Sequence, residues 1–265
     1  MPIQKIALQH WIDQFYGYGS WEAKFWFIGY EESGGDVPED VTERLDYFTK
    51  NHPQKEAALC DMRELYHAIS ARLEGPRAAK FNTLFDHRFG KQAVQHGGWK
   101  NLIAFTFGYE NKKLPDLLTY QQKNFVIGTR EAMINLYPLP APHNHAWYYS
   151  WVDIPGLEFI RSRSVYQDHL FHTRVRTILK NIKQYKPEVV VMYGMNNINS
   201  LKKAVQDYFP EVSFTTFKAI KQYIPQYHRT DIGKTKLLIT TQVPTLRHNR
   251  IETGFDWQAF GKSIS

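Results

Sequence analysis

Two adjacent glutamates, Glu31 and Glu32, and one asparagine, Asn135, are the side chains of this sequence best suited to chemistry. The glutamates follow an apolar run that ends at Gly29. Asn135 is a polar amide inside another apolar run, directly before a Tyr-Pro-Leu-Pro segment. A carboxylate orients water or accepts a proton, and an amide offers both a hydrogen-bond donor and an acceptor. These residues are therefore candidates for a ligand-binding site of an open α/β sheet.

Short apolar runs predict the strands that must position these side chains. Four runs end in glycine, proline or polar residues, and a fifth is weaker: 24–29, 132–137, 188–194, 236–241 and 212–217. Apolar residues at three- and four-residue spacing predict helices over 168–185 and 199–208. The alternation predicts an α/β fold, a three-layer α/β/α sandwich with a short, mostly parallel sheet of four or five strands. Ligands of such sheets bind at the carboxyl ends of the strands, where Glu31 and Glu32 lie.

A long insertion of about residues 36–125 separates the first two strands. Helices are predicted over 39–50 and 54–73, and the second would contain Cys60 as a buried, inert thiol. No linker composition marks either end of the insertion. The sequence therefore predicts one domain over residues 1–265, with a helical cap beside the sheet.

The composition favours a polyanionic partner. There are 33 basic and 26 acidic residues, a formal net charge of +7, and nucleic acid is the leading candidate. The single cysteine excludes an intramolecular disulfide framework and cysteine-rich metal sites. No apolar run reaches membrane-spanning length, and residues 1–10 lack the apolar core of a signal peptide. We expect a cytoplasmic protein that makes no membrane contact.

The four strand ends, taken in order, resemble those of the uracil-DNA glycosylase superfamily. In that family the first strand ends in a glycine-containing loop, the second carries a base-reading asparagine, and the third is valine-rich and ends in glycine. The last is followed by a His-Pro-Ser motif and a Leu-Arg wedge. The corresponding segments here are 24–35, 134–140, 186–194 and 237–247. The resemblance implies a DNA glycosylase that flips out and excises a uracil-type or 5-modified pyrimidine, with no metal or cofactor.

The resemblance also implies roles for individual residues. Glu31 would position the attacking water, with Glu32 as the alternative, because adjacent residues of an extended segment point in opposite directions. Asn135 would hydrogen-bond the edge of the flipped base. The base pocket would be lined by Gly29, Tyr30, Ser33, Gly34, Gly35 and Tyr137. DNA would be contacted by Asn196, Thr245, Leu246, Arg247 and Arg250, with Leu246 and Arg247 as the wedge.

The last motif departs from the family pattern. When Pro244 is aligned with the family's proline, Val243 stands where a histidine donates to the leaving base. Gln242 and His248 are the nearest substitutes. Loss of one such donor lowers a rate on the order of 10²- to 10³-fold.

The first motif departs as well. Ser33, Gly34 and Gly35 stand where some members of the family carry a bulky tyrosine that excludes 5-substituted pyrimidines. The small residues suggest room for a hypermodified phage base. Antiviral defence is therefore a hypothesis beside DNA repair.

Clustered cations also favour nucleic acid. One group lies in and just before the predicted helix over 168–185: Arg161, Arg163, Arg174, Arg176, Lys180 and Lys183. A second group flanks the last strand: Arg229, Lys234, Lys236, Arg247 and Arg250. Such stripes bind phosphates by counterion release.

Two alternatives remain open. The first is a catalytically inactive nucleic-acid-binding protein of the same fold. The second is a small-molecule α/β hydrolase that uses Glu31, Glu32 and His248. His143 and His145 are spaced for a metal but have no further ligand nearby, so no metal site is predicted.

Overall fold

The structure is a computed structural model that describes residues 3–35, 37–143, 145–221, 223–244 and 255–265. Its α-helices are α1 (Lys5–Gln14), α2 (Pro38–Asn51), α3 (Met62–Ala68), α4 (Leu84–Phe89), α5 (Gly97–Tyr109), α6 (Leu117–Lys123), α7 (Arg163–Tyr185), α8 (Ile198–Tyr208) and α9 (Trp257–Ile264). Short 3₁₀ helices are η1 (Gly75–Arg77), η2 (Tyr148–Trp151) and η3 (Glu158–Arg161). The strands are β1 (Phe15–Tyr18), β2 (Phe25–Ser33), β3 (Ala58–Cys60), β4 (Glu131–Ala141), β5 (Val189–Met192), β6 (Thr215–Phe217), β7 (Tyr227–Ile232) and β8 (Thr235–Ile239). Within these described ranges, no helix has the length and apolarity needed to cross a bilayer.

The strands form one eight-stranded sheet in the order β3-β1-β4-β2-β5-β8-β7-β6. Its centre, β4-β2-β5-β8, is entirely parallel, and β1 and β7 run antiparallel to the central strands beside them. In the β2–β4 register, Gly29 pairs with Asn135 and Glu31 with Tyr137. The two segments that carry the candidate site are therefore neighbouring strands.

Helices cover both faces of the sheet. Phe25 and Phe27 of β2 contact Tyr109 and Phe105 of α5 on one face. The intervening Trp26 faces the other way and packs on Trp21, which stacks on the last residue of α7. This alternation buries the first part of β2 on both sides, which is why residues 25–28 are all apolar. The predicted α/β class with helices on both faces is confirmed.

The predicted strands all exist, but the sheet is larger than the predicted four or five strands. The strands β1, β3 and β7 also belong to the sheet and were not predicted. β2 extends through Ser33, so Glu31 and Glu32 lie in a strand and not in the loop after it. β4 runs through Pro138 and Pro140 because β1 pairs with it only at Met133 and Ile134. Beyond that point one edge of β4 needs no ladder hydrogen bond, so prolines are tolerated.

In its described part, the segment between β2 and β4 contains five α-helices and one edge strand. The helix predicted over 39–50 is confirmed as α2. The helix predicted over 54–73 is wrong, because residues 58–60 form β3, which pairs with β1, and only α3 is helical there. Cys60 therefore ends a strand. It is buried as expected, and burial raises the pKa of its thiol well above the usual value.

Candidate active site

Glu32 and Asn135 form the centre of the candidate site. Both side chains are buried, and the Nδ2 group of Asn135 donates a hydrogen bond to Oε2 of Glu32. The hydroxyl of Tyr18 donates to the other carboxylate oxygen, Oε1, over 2.7 Å. Each oxygen of the Glu32 carboxylate is thus held by a neutral donor, Asn135 from the adjacent strand β4 and Tyr18 from β1, the strand beyond it. The carboxylate has one fixed orientation.

Arg44 of α2 is the cation of the site, and its side chain is fully buried. Its Nη1 lies 3.3 Å from Oε1 of Glu32 and 3.2 Å from the Tyr18 hydroxyl. Its Nε donates to Oδ1 of Asp40, one helical turn earlier, over 2.6 Å. Burial opposes the charge on Arg44, but Asp40, Tyr18, Tyr66 and Glu32 raise its pKa well above the usual value. Arg44 therefore stays charged.

The pKa of Glu32 is raised from 4.5 to about 7, and burial is the main cause. Arg44 and the hydrogen bonds from Tyr18 and Asn135 lower it, but they do not cancel the loss of hydration. Asp40 already balances the charge of Arg44, so ionisation of Glu32 leaves one net negative charge in the cluster. A carboxyl with a pKa near 7 exchanges protons readily at neutral pH.

Glu31 points away from this cluster. Its carboxylate accepts hydrogen bonds from the guanidinium of Arg163 and from Nε2 of Gln167, both on α7. The β2–β4 register is irregular between Glu31 and Ser33, and the two glutamates reach opposite sides of the strand. The expectation that adjacent glutamates diverge is confirmed. Glu32, the sequence alternative, is the one beside Asn135.

Tyr30 and Tyr137 line a cavity of about 960 Å³ between α7 and α8. Their rings meet edge to face at 5.1 Å, and the Tyr30 hydroxyl donates to Gln167 over 3.3 Å. The cavity is also lined by Asp168, His172, Arg176, Asn197, Lys203 and Asp207. These two members of the predicted base pocket therefore lie on the Glu31 side.

The loop after β2 is folded over Arg44. Gly34 has φ +109°, and a Cβ on it would lie 2.5 Å from Nη2 of Arg44. The backbone N–H of Gly35 donates to Oδ2 of Asp40 over 2.9 Å, while Ser33 is exposed. A positive φ and close approach to a side chain both require glycine. The glycines thus have a structural reason that is independent of any substituent on a base.

Tyr193, directly after β5, lies beside Gly29. A Cβ on Gly29 would lie 3.0 Å from the hydroxyl of Tyr193, so a larger residue at this strand position would require the tyrosine to shift. Gln242 is half-buried, and its carbonyl oxygen accepts a hydrogen bond from the N–H of Gly194. Val243 packs against Gly194. Asn196 is exposed between β5 and α8.

The remaining predicted DNA contacts and one predicted catalytic residue lie outside the described residues. They are Thr245, Leu246, Arg247, His248 and Arg250. Pro244 is the last described residue before them, and its carbonyl oxygen would be 3.0 Å from a Cβ on Gly98 at the start of α5.

The basic cluster is only partly a surface stripe. Arg174 is buried and donates to the carbonyl oxygens of Phe15, Asn135 and Leu136, so its assignment to a phosphate-binding stripe is wrong. Its guanidinium also lies 3.5 Å from the centre of the Tyr16 ring. Arg161 pairs with Asp153, and Arg163 with Glu31. Three cations of this group are exposed on α7: Arg176, Lys180 and Lys183.

Sequence reasoning missed Tyr18, Arg44 and Tyr193 as residues of the site. Tyr18 and Arg44 come from β1 and α2, and no local motif connects either of them to Glu32. The one available signal was the spacing of Asp40 and Arg44, which places opposite charges one turn apart on a helix. That signal predicts an ion pair but not its burial.

Among the described residues, no group of three or more His, Cys, Asp or Glu side chains is arranged to hold a metal ion. Comparison with protein-family models and with curated proteins finds no match to this chain. The fold shown is an α/β sandwich with a carboxylate–amide pair on neighbouring parallel strands.

Proposed function

We propose that this protein is a DNA glycosylase that extrudes a nucleotide and hydrolyses its N-glycosidic bond, releasing a uracil-type or 5-modified pyrimidine. The observation that carries the proposal is the direct hydrogen bond between Glu32 and Asn135 on β2 and β4. The resemblance of the four strand ends to the uracil-DNA glycosylase superfamily supports it. The four runs behind that resemblance are the four adjacent parallel strands of the sheet centre.

Glu32 takes the role of the water-activating carboxylate in this proposal. The bond between C1′ of the sugar and the base nitrogen breaks, and the electron pair leaves with the base. Water oxygen bonds to C1′ and gives a proton to Glu32. An ionised Glu32 also stabilises the positive charge that develops on the sugar, in a site where burial strengthens the interaction.

Asn135 binds the base in the same scheme. One of its amide hydrogens is donated to Glu32. A second hydrogen and the amide oxygen belong to the same group, which suits the donor and acceptor edge of a pyrimidine. The contact with Glu32 fixes the amide before substrate arrives.

Base release from a defined duplex tests the proposal. The protein is incubated with DNA that contains one uracil or one 5-modified cytosine, and abasic sites are detected as alkali-labile strand breaks. Glu32→Gln and Asn135→Ala should each lower release by at least about 100-fold. Because Glu32 acts as a base with a pKa of about 7, the rate of the native protein should rise with pH through that value.

Glu131→Gln is the matched control. Glu131 is also fully buried in β4, and burial likewise raises its pKa to about 7, but its carboxylate accepts from Tyr120 at the opposite end of the strand. This variant should keep the activity and its pH profile. Base release that survives Glu32→Gln, or that disappears equally in Glu131→Gln, would contradict the role of Glu32.

The DNA with 5-modified cytosine addresses the identity of the base. Release from that DNA and not from uracil DNA would favour the defence hypothesis. Release from uracil alone would refute it. The proposed chemistry at C1′ is the same in both cases.

A catalytically inactive DNA-binding protein is the second candidate, and Val243 favours it. Its side chain offers no hydrogen to a departing base, and it lies against Gly194 at the end of β5. In this case the protein binds DNA with the usual dependence on salt but forms no abasic sites with any of the three bases uracil, hypoxanthine and 5-modified cytosine.

A further inference from the structure

The short helix η2 presents two large aromatic side chains to solvent. Trp151 is 89% exposed and Tyr148 is 49% exposed. The other tryptophans of the chain are buried or half-buried. Because a bare indole ring exposes a large apolar surface to water, an exposed tryptophan next to an exposed tyrosine marks a surface that gains from being covered.

The three-residue spacing of these two side chains puts them on the same edge of η2. A 3₁₀ helix has three residues per turn, so side chains three positions apart lie on the same edge. Tyr148 and Trp151 are the first and last residues of η2 and have this spacing. We call this pair, Tyr148 and Trp151, the aromatic edge.

The residues between and beside this pair anchor η2 to the protein. Tyr149 is 3% exposed, and its hydroxyl donates to the carbonyl oxygen of Pro140 in β4 over 3.1 Å. The indole N–H of Trp147 donates to the carbonyl oxygen of Ile160 over 2.7 Å, and its ring packs on Tyr166 at 5.2 Å. The aromatic edge is therefore held outward by a fixed backbone.

The aromatic edge is also close to the candidate active site. The Tyr149 hydroxyl donates to the carbonyl oxygen of Pro140, which is in the strand that carries Asn135. That oxygen would lie 3.3 Å from a Cβ on Gly35, whose N–H donates to Asp40, the partner of Arg44. The Cα atom of Trp151 is two residues further along the chain, at most about 7 Å from the Cα atom of Tyr149. A strand of DNA whose nucleotide occupies the site would have neighbouring bases within reach of this edge.

We propose that the aromatic edge is a stacking platform for an unpaired nucleobase next to the extruded nucleotide. This inference rests on the proposed function. Aromatic rings stack on any base, and the net charge of +7 favours the phosphates that come with it. Trp151 supplies the main stacking surface, and Tyr148 extends it.

Binding of single-stranded DNA without any excisable base tests the proposal. The probe is a fluorescein-labelled oligothymidylate, and its anisotropy gives Kd at several salt concentrations. Trp151→Ala should weaken binding roughly 5- to 100-fold, and Tyr148→Ala should weaken it less. Trp151→Phe should restore most of the affinity. The slope of log Kd against log salt should stay the same in all three variants, because no phosphate contact is removed.

Tyr223→Ala is the control. Tyr223 is 60% exposed, but it lies between β6 and β7, which form the edge of the sheet far from β4. It should bind as the native protein does. Native affinity in Trp151→Ala, an equal loss in Tyr223→Ala, or no binding by the native protein at low salt would overturn the platform. So would Trp151-dependent binding to neutral phosphatidylcholine vesicles with no such dependence on DNA.

The two proposals fail in different ways. Trp151-dependent binding without abasic sites in any DNA would remove the glycosylase and keep the platform. Base release that is unaffected by Trp151→Ala, with unchanged affinity, would remove the platform and keep the glycosylase.

Discussion

The replacement Glu32→Gln should change how the stability of the protein depends on pH. Burial raises the pKa of Glu32 from 4.5 to about 7, so the folded state binds this proton more tightly than the unfolded state does. Its stabilising contribution is complete below about pH 4.5 and is lost as the pH rises through about 7. A glutamine in the same place has no proton to lose.

The size of the effect follows from the size of the shift. The rise in the pKa of Glu32 from 4.5 to about 7 corresponds to about 3 kcal/mol of unfolding free energy. This stabilisation is lost progressively between about pH 4.5 and a little above 7. Burial lowers the pKa of His87 to about 4 and of His96 to about 3, and these groups act in the opposite direction. They are common to both proteins, so they cancel in the difference.

Urea unfolding at pH 5, 6, 7 and 8, followed by tryptophan fluorescence, measures the effect. The difference in unfolding free energy, Glu32→Gln minus native, should become more positive by about 2 to 3 kcal/mol across this range. Glu131→Gln should give a similar trend, since burial raises the pKa of Glu131 to about 7 as well. The two effects should add in the double variant, because the residues share no partner. If the unfolding free energies of the native protein and Glu32→Gln depended on pH in the same way, the raised pKa of Glu32 would be refuted.

Three further substitutions test the packing that supports the site. Gly34→Ala should lower the stability by roughly 1 to 3 kcal/mol, because φ is +109° and the new Cβ would meet Arg44; the fall in Tm measures it. Arg174→Met should cost at least about 2 kcal/mol in urea unfolding, since three backbone carbonyls lose their donor. The salt slope of DNA binding should stay unchanged in that variant. Asp61→Ala should destabilise α3 by about 1 kcal/mol, because the Asp61 carboxylate caps two backbone N–H groups; hydrogen exchange in α3 checks this.

The sequence determined the centre of the sheet. The strands β2, β4, β5 and β8 are covered on both faces, and strands buried on both faces are mostly apolar, so each of them contains a recognisable apolar run. β1, β3 and β7 were missed because they are short or polar, and long-range pairing decides whether such segments are strands. β7, with the sequence Tyr-His-Arg-Thr-Asp-Ile, exists through its pairing with β8.

The sequence also supplied the residue types of the candidate site, a carboxylate near position 31 and the amide of Asn135. Which glutamate faces that amide was decided only by the tertiary structure. Glu31 and Glu32 are neighbours in the chain, but their partners are Arg163 and Asn135, each more than a hundred positions away. The burial of Arg174 was also decided by the tertiary structure. The sequence of α7 indicates a basic surface, but the three carbonyl oxygens that Arg174 contacts belong to β1 and β4. The local sequence pattern indicates which face of a helix or strand is apolar, but only the packing of the whole chain decides which residues contact each side chain.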